Sequence, residues 1–172
     1  MPHNHKPRKR YIPKRIDANA HGLALDRISV LDAEQRLKLN VAVIDAFAAF
    51  RAGRGNRGHW LQLADGLNVA EAIAQRGTFR GDQPHAYQAG QATLAEANIR
   101  YEHTGSWTLR GPEITALDTA LHCHELQLDH ISQGELHDAI QAVKRRVAGA
   151  LAGSPPAGAR VCSVGLLGRE AA

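Results

Sequence analysis

Aromatic residues make up only 5% of this 172-residue chain and methionine occurs once, while the hydrophobic share of 44% is rich in Ala and Leu. A sheet sandwich draws on β-branched and aromatic side chains, so this balance favours helices. Cysteine is limited to Cys123 and Cys162, with no C-x-x-C spacing. One falls in a helical pattern and the other near the end of the chain, which speaks for two free thiols in a reducing compartment. No apolar run approaches the roughly 18 residues of a membrane span. Residues 1–27 also lack the apolar core that follows the basic start of a signal peptide. A cytoplasmic protein making no membrane contact is expected.

Catalytic signatures are missing as well. The chain contains no H-E-x-x-H, no E-x-x-H of the di-iron bundles and no G-x-S-x-G. The glycine-rich stretch RAGRGNRG at residues 51–58 matches neither a Walker loop nor a dinucleotide fingerprint, and no strand pattern precedes it. A solvated loop between helices is the simpler reading.

Acidic residues are absent from residues 1–16, where Lys6, Arg8, Lys9, Arg10, Lys14 and Arg15 stand among three prolines. The formal charge of +4 therefore belongs to this segment, because the rest of the chain holds more acids than bases. Charge repulsion and missing N–H donors predict an extended, disordered arm. Such an arm can contact DNA or RNA phosphates by counterion release, with Tyr11 stacking on a base. A tail docking on an acidic protein is the other reading of the same charge. His3 and His5 make an H-x-H pair, but a disordered pair is a poor preorganised metal site.

From residue 17 onward the pattern is helical. Asp17–Ile28 suggests a short helix with Ala20, Leu23, Ala24 and Ile28 turned inward. Asp32 and Gln35 form a capping box for a helix over residues 33–52, with Leu37, Val41, Ile44 and Ala48 as its buried stripe, widened by Phe47. Gly53 is its stop. A third helix covers residues 59–75 with Trp60, Leu63, Ala64, Leu67, Ala70 and Ile73 inward, and Gly66 permitting a close crossing. Asp82 and Pro84 open a fourth, to about His103, with Tyr87, Leu94, Ala97 and Tyr101 on its buried side. Trp107 and Leu109 then plug the end of the bundle. Two further helices fill residues 111–151. The first carries Leu117, Leu121, His124, Leu128 and Ile131. The second, opened by the Ser132/Glu135 capping box, carries Leu136, Ile140, Val143, Val147 and Leu151.

The resulting expectation is an all-α bundle of five or six helices over residues 17–152, between a basic arm at 1–16 and a flexible tail at 153–172. That tail is rich in Pro and Gly, with Val164, Leu166 and Leu167 as an apolar cluster.

One helix face carries metal-type or acid–base side chains. At 100° per residue, Asp118, His122, Glu125 and Asp129 fall within about 60° of one another. His122, Glu125 and Asp129 are thus the alternative site, as ligands of a divalent ion. The stripe lies away from the apolar face, so a solvated polar surface explains it more simply. His124 belongs to the apolar stripe and is expected to be buried with a hydrogen-bond partner. Lys144, Arg145 and Arg146 sit near a helix C-terminus, where cations suit the dipole. No cofactor is called for.

The segments HKPRKRYIPKRIDANAH, DAEQRLKLNVAVIDAFAAFRAGRG and YEHTGSWTLRGPE together resemble small proteins of proteobacterial phages, prophages and other mobile elements. The likeness spans most of residues 6–151. It implies a mobile-element accessory protein in a bacterial cytoplasm and carries no catalytic residue with it. The function expected from the sequence is non-enzymatic binding of nucleic acid or an acidic partner through the arm, with the bundle as a scaffold for protein docking.

Overall fold

The computed structural model of the protein describes residues 24–76 and 83–151. The basic arm, the start of the first helix with Ala20 and Leu23, the Asp82 cap and the tail from residue 153 lie outside these residues.

The described chain is an all-α bundle. A helical segment α1 at residues 24–28 precedes α2 (Ala33–Arg51), α3 (Arg57–Ala74), α4 (Pro84–Thr104), α5 (Gly111–Leu128) and α6 (Gln133–Leu151). Its only extended pairing among the described residues is an isolated antiparallel bridge between Val30 and Ser132. No helix there is long and apolar enough to cross a membrane.

Local signals set most of the boundaries. The Asp32 carboxylate accepts the Gln35 N–H at 2.8 Å while the Gln35 side chain accepts the Asp32 N–H at 3.0 Å, so two free donors of α2 are satisfied reciprocally. Gly53, at φ 68°, takes the left-handed conformation just past that helix. At α6 the Glu135 carboxylate accepts the Ser132 N–H at 2.7 Å and the Ser132 hydroxyl accepts the Glu135 N–H at 3.3 Å. The cap of α3 is Asn56, whose side chain accepts the His59 N–H at 3.0 Å. That moves the start of α3 ahead of the one expected from the apolar pattern. For α4 the N-cap position is Gln83, with Pro84 in the first turn.

Helix α3 is the organiser: it packs against α2, α4, α5 and α6, whereas α5 and α6, consecutive in sequence, pack chiefly against α4 and α3 respectively. All six of its expected core residues are buried. The Trp60 indole donates to the Leu94 carbonyl of α4 at 2.8 Å. One cluster joins Phe47, Phe50, Trp60, Leu63, Leu67, Tyr87, Leu94, Leu109 and Leu117. Trp107 lies at its end, with its ring centroid 4.3 Å from that of Tyr101 in a stacked pair. A second cluster lies between α3 and α6 and contains Leu31, Ile73, Leu128, Ile131, Leu136, Val143 and Val147.

Three expectations about facing are corrected. In α2 the buried residues are Val43, Ala46, Phe47, Ala49 and Phe50, while Leu37 is 61%, Val41 43% and Ile44 51% exposed and Ala48 is exposed. The helix has two apolar faces, and the one bearing both phenylalanines meets the aromatic cluster. In α1, Ala24 and Ile28 are exposed rather than inward. Tyr101 is 38% exposed, with one ring face covered by Trp107.

Candidate nucleic-acid interface

The residues expected to contact nucleic acid, Lys6, Arg8, Lys9, Arg10, Tyr11, Lys14 and Arg15, lie outside the described residues. What the bundle adds is a groove of about 510 Å³ between the C-terminal parts of α3 and α6. Ala72, Ala142 and Gly149 line it with small apolar surface, and Gln75, Arg76, Arg145 and Arg146 line it with polar groups. Small side chains leave a depression at the helix crossing, and the long arginines border it.

The charges around this groove do not cancel. Asp138 bridges two guanidinium groups, with Arg27 at 2.9 Å and Arg76 at 3.5 Å. Arg146 lies 3.5 Å from the Glu71 carboxylate, with side-chain exposures of only 16% and 10%. Arg145 is exposed to solvent. Three guanidiniums thus line the groove against the two carboxylates that pair with Arg76 and Arg146, and a planar guanidinium matches phosphate or carboxylate oxygens in a fork.

Behind the groove, Glu71 is held by more than Arg146. The Gln91 side-chain amide donates to Glu71 at 3.1 Å and to Asn68 at 3.3 Å, all within the buried interior. A buried carboxylate requires such compensation. Arg146 is therefore a packed, paired residue, and the helix-dipole explanation covers only Lys144 and Arg145, which remain exposed.

The alternative metal face has a different character. His122, Glu125 and Asp129 are all exposed. The His122 ring lies 3.9 Å from the Glu125 carboxylate with both side chains at least 60% exposed, whereas Asp129 pairs with Arg36 of α2 at 2.9 Å. Among the described residues no group of three His, Cys, Asp or Glu side chains could hold a metal ion. These three side chains lie on the exposed surface of the bundle.

His124 is buried as expected and its Nδ1 shares a hydrogen bond with the Gln127 side-chain oxygen Oε1 at 3.0 Å. The Gln127 amide donates in turn to the Ala70 carbonyl of α3 at 3.1 Å. That chain ties α5 to α3 structurally. Cys123 is half-buried and packs beside the larger cluster.

A second shielded ion pair joins α4 to the start of α5. Arg100 holds Glu113 through both of its terminal nitrogens and also donates to the Thr108 carbonyl. The Arg110 N–H donates to Glu113 at 2.7 Å. Burial alone would raise the Glu113 carboxyl, but the bonds from Arg100 and Arg110 and the charge of both arginines outweigh it. The group is held below the usual carboxylate range. This pair locks a corner of the bundle between α4 and α5.

Sequence reasoning did not find Glu71, Asn68, Gln91 or Arg76. The signal for the first was a glutamate four residues after Leu67 and three before Ala74 on an apolar face, where a carboxylate needs a partner. No protein-family model, curated protein or solved structure matches the chain.

Proposed function

We propose that the protein is a non-enzymatic nucleic-acid-binding protein. The observation that carries this reading is the segregation of charge, with six cations and no acid in residues 1–16 on a chain whose remainder is net acidic. Phosphate contact by such a segment is sequence-independent and salt-sensitive. The arginine groove supports the reading from the folded side, since Arg76, Arg145 and Arg146 line one depression. An arm tethered to the bundle raises the effective concentration of the second set of cations once the first has engaged. The place of the protein in a mobile element, as an accessory factor, rests on the sequence resemblance.

The test is a salt titration of binding to random-sequence DNA duplex and RNA single strand, using the full chain. Replacing Lys6, Arg8, Lys9, Arg10, Lys14 and Arg15 by alanine should weaken binding. The log–log salt slope should become shallower by about 0.9 for each duplex phosphate that the arm no longer neutralises. Arg145→Ala should give a smaller loss of the same kind. Binding that is absent at low salt, or unchanged by the arm substitutions, would refute the reading and direct attention to an acidic protein partner.

A further inference from the structure

The outward face of α2 has the geometry of a helix–helix seam. Leu37, Val41, Ile44 and Ala48 are separated by four, three and four positions, the alternation of d and a residues in a heptad pattern. They occupy one stripe about 16 Å long, at 1.5 Å per residue. All four are exposed, and they lie across the helix from Val43 and Phe50, which face the core, with Phe47 buried at the edge between the two faces. Single exposed leucines are ordinary, but a regular stripe of this kind on a helix already anchored by its other face is not.

The residues around the stripe specify what covers it. Extending the same heptad places Glu34 and Arg51 at its two ends and Lys38 and Asp45 along one flank. If a second α2 runs parallel and in register, Glu34 meets Glu34 and Arg51 meets Arg51, and Lys38 and Asp45 gain no opposite charge. If it runs antiparallel about a two-fold axis between positions 42 and 43, Glu34 faces the partner's Arg51. Leu37 then faces the partner's Ala48, Val41 the partner's Ile44, and Lys38 lies beside the partner's Asp45. Each large side chain meets a smaller or branched one, and the ion pair that Lys38 and Glu34 make within one helix at 2.7 Å is extended by the partner's Asp45 and Arg51. Such self-complementarity is what a two-fold interface demands, because one surface must serve both partners.

We propose that the protein self-associates as an antiparallel two-fold dimer through this face of α2, the occupant being a second copy of the chain. Dimerisation buries the stripe without disturbing the core, since α2 is already held by α3 through its opposite side. The arrangement is independent of any nucleic acid.

The experiment is sedimentation equilibrium of the full chain over a range of micromolar concentrations, with circular dichroism to confirm folding of each variant. The wild type should show a reversible monomer–dimer equilibrium. Ile44→Lys places an unpaired charge in the seam and should raise the dimer Kd by about tenfold or more. Lys38→Asp and Asp45→Lys should each weaken the homodimer by setting like charges side by side, while an equimolar mixture of the two variants should associate again as a heterodimer. That restoration depends on the antiparallel register, because only there does position 38 of one chain meet position 45 of the other.

A wild type that stays monomeric throughout would overturn the proposal, leaving residues 152–172 or another protein to cover the face. So would a dimer indifferent to Ile44→Lys. A mixture of the charge variants that fails to associate would overturn the two-fold register. Loss of nucleic-acid binding with an intact dimer would leave this proposal standing, so the two readings fail separately.

Discussion

In α3, Trp60, Leu63, Leu67 and Ile73 are almost inaccessible, whereas in α2 the equally regular stripe of Leu37, Val41, Ile44 and Ala48 stands in water. Both helices begin at a side-chain cap and both carry apolar residues at helical spacing. The difference is in how many apolar faces each has to place. Helix α3 is surrounded by four others and buries residues all round. Helix α2 lies at the edge of the bundle and buries one side. The side taken inward bears Phe47 and Phe50, whose rings bring more area than the competing aliphatics. Phe50 meets Trp107 edge-on, with ring centroids 6.4 Å apart. Periodicity marks an apolar face without saying which neighbour will claim it.

Truncating one leucine in each helix separates buried from exposed apolar faces. Leu67→Ala removes a fully buried side chain and should cost about 2–5 kcal/mol in urea unfolding. Leu37→Ala should stay within about 0.5 kcal/mol under dilute conditions that favour the monomer. Similar losses at the two sites would mean that the outer face of α2 is covered in the isolated chain.

Two glycines provide a smaller contrast. A Cβ at Gly90 would lie 2.9 Å from Leu67 Cδ1 and 3.0 Å from the Ala120 Cβ, between α3 and α5. A Cβ at Gly66 would meet only Val43 of α2, its nearest atom at 3.0 Å. Alanine gains about 1 kcal/mol of helix propensity at either place. Overpacking of a closed core costs about 1–3 kcal/mol. Gly90→Ala should therefore destabilise on balance, while Gly66→Ala should be close to neutral because α2 can yield at the bundle edge. Thermal unfolding of both variants decides this, and a larger loss at Gly66 would show that α2 is held as rigidly as the central helices.

What could be read from the sequence follows the same division. Capping boxes at Asp32 and Ser132, the glycine stop after α2 and the buried face of α3 are local, and each appears where its residues stand. Trp107 and Leu109 closing the bundle were also legible, being large apolar residues in a short connection. The facing of α2 was not, because its two apolar stripes are equally periodic. Nor was the pairing of Glu71 with Arg146, which depends on α3 and α6 meeting far apart in sequence. The arginine groove is invisible for the same reason: Arg76 and Arg145 share no pattern until the helices cross.

The smallest expected effects are at the caps, and they test whether local instruction or burial separates the two helices. Asp32 and Asn56 do the same work, each accepting the N–H three residues on, at 2.8 and 3.0 Å. Substituting either by alanine leaves one donor without its side-chain partner and should cost about 1 kcal/mol. Asp32 adds the attraction of a carboxylate to the positive end of the helix dipole, a few tenths of a kcal/mol that salt screens. The two losses should therefore converge as ionic strength rises, although one helix is central and the other peripheral. A cap on α3 worth several times the cap on α2 would mean that burial amplifies local hydrogen bonds. Equal values would place the whole difference between these helices in their side-chain packing.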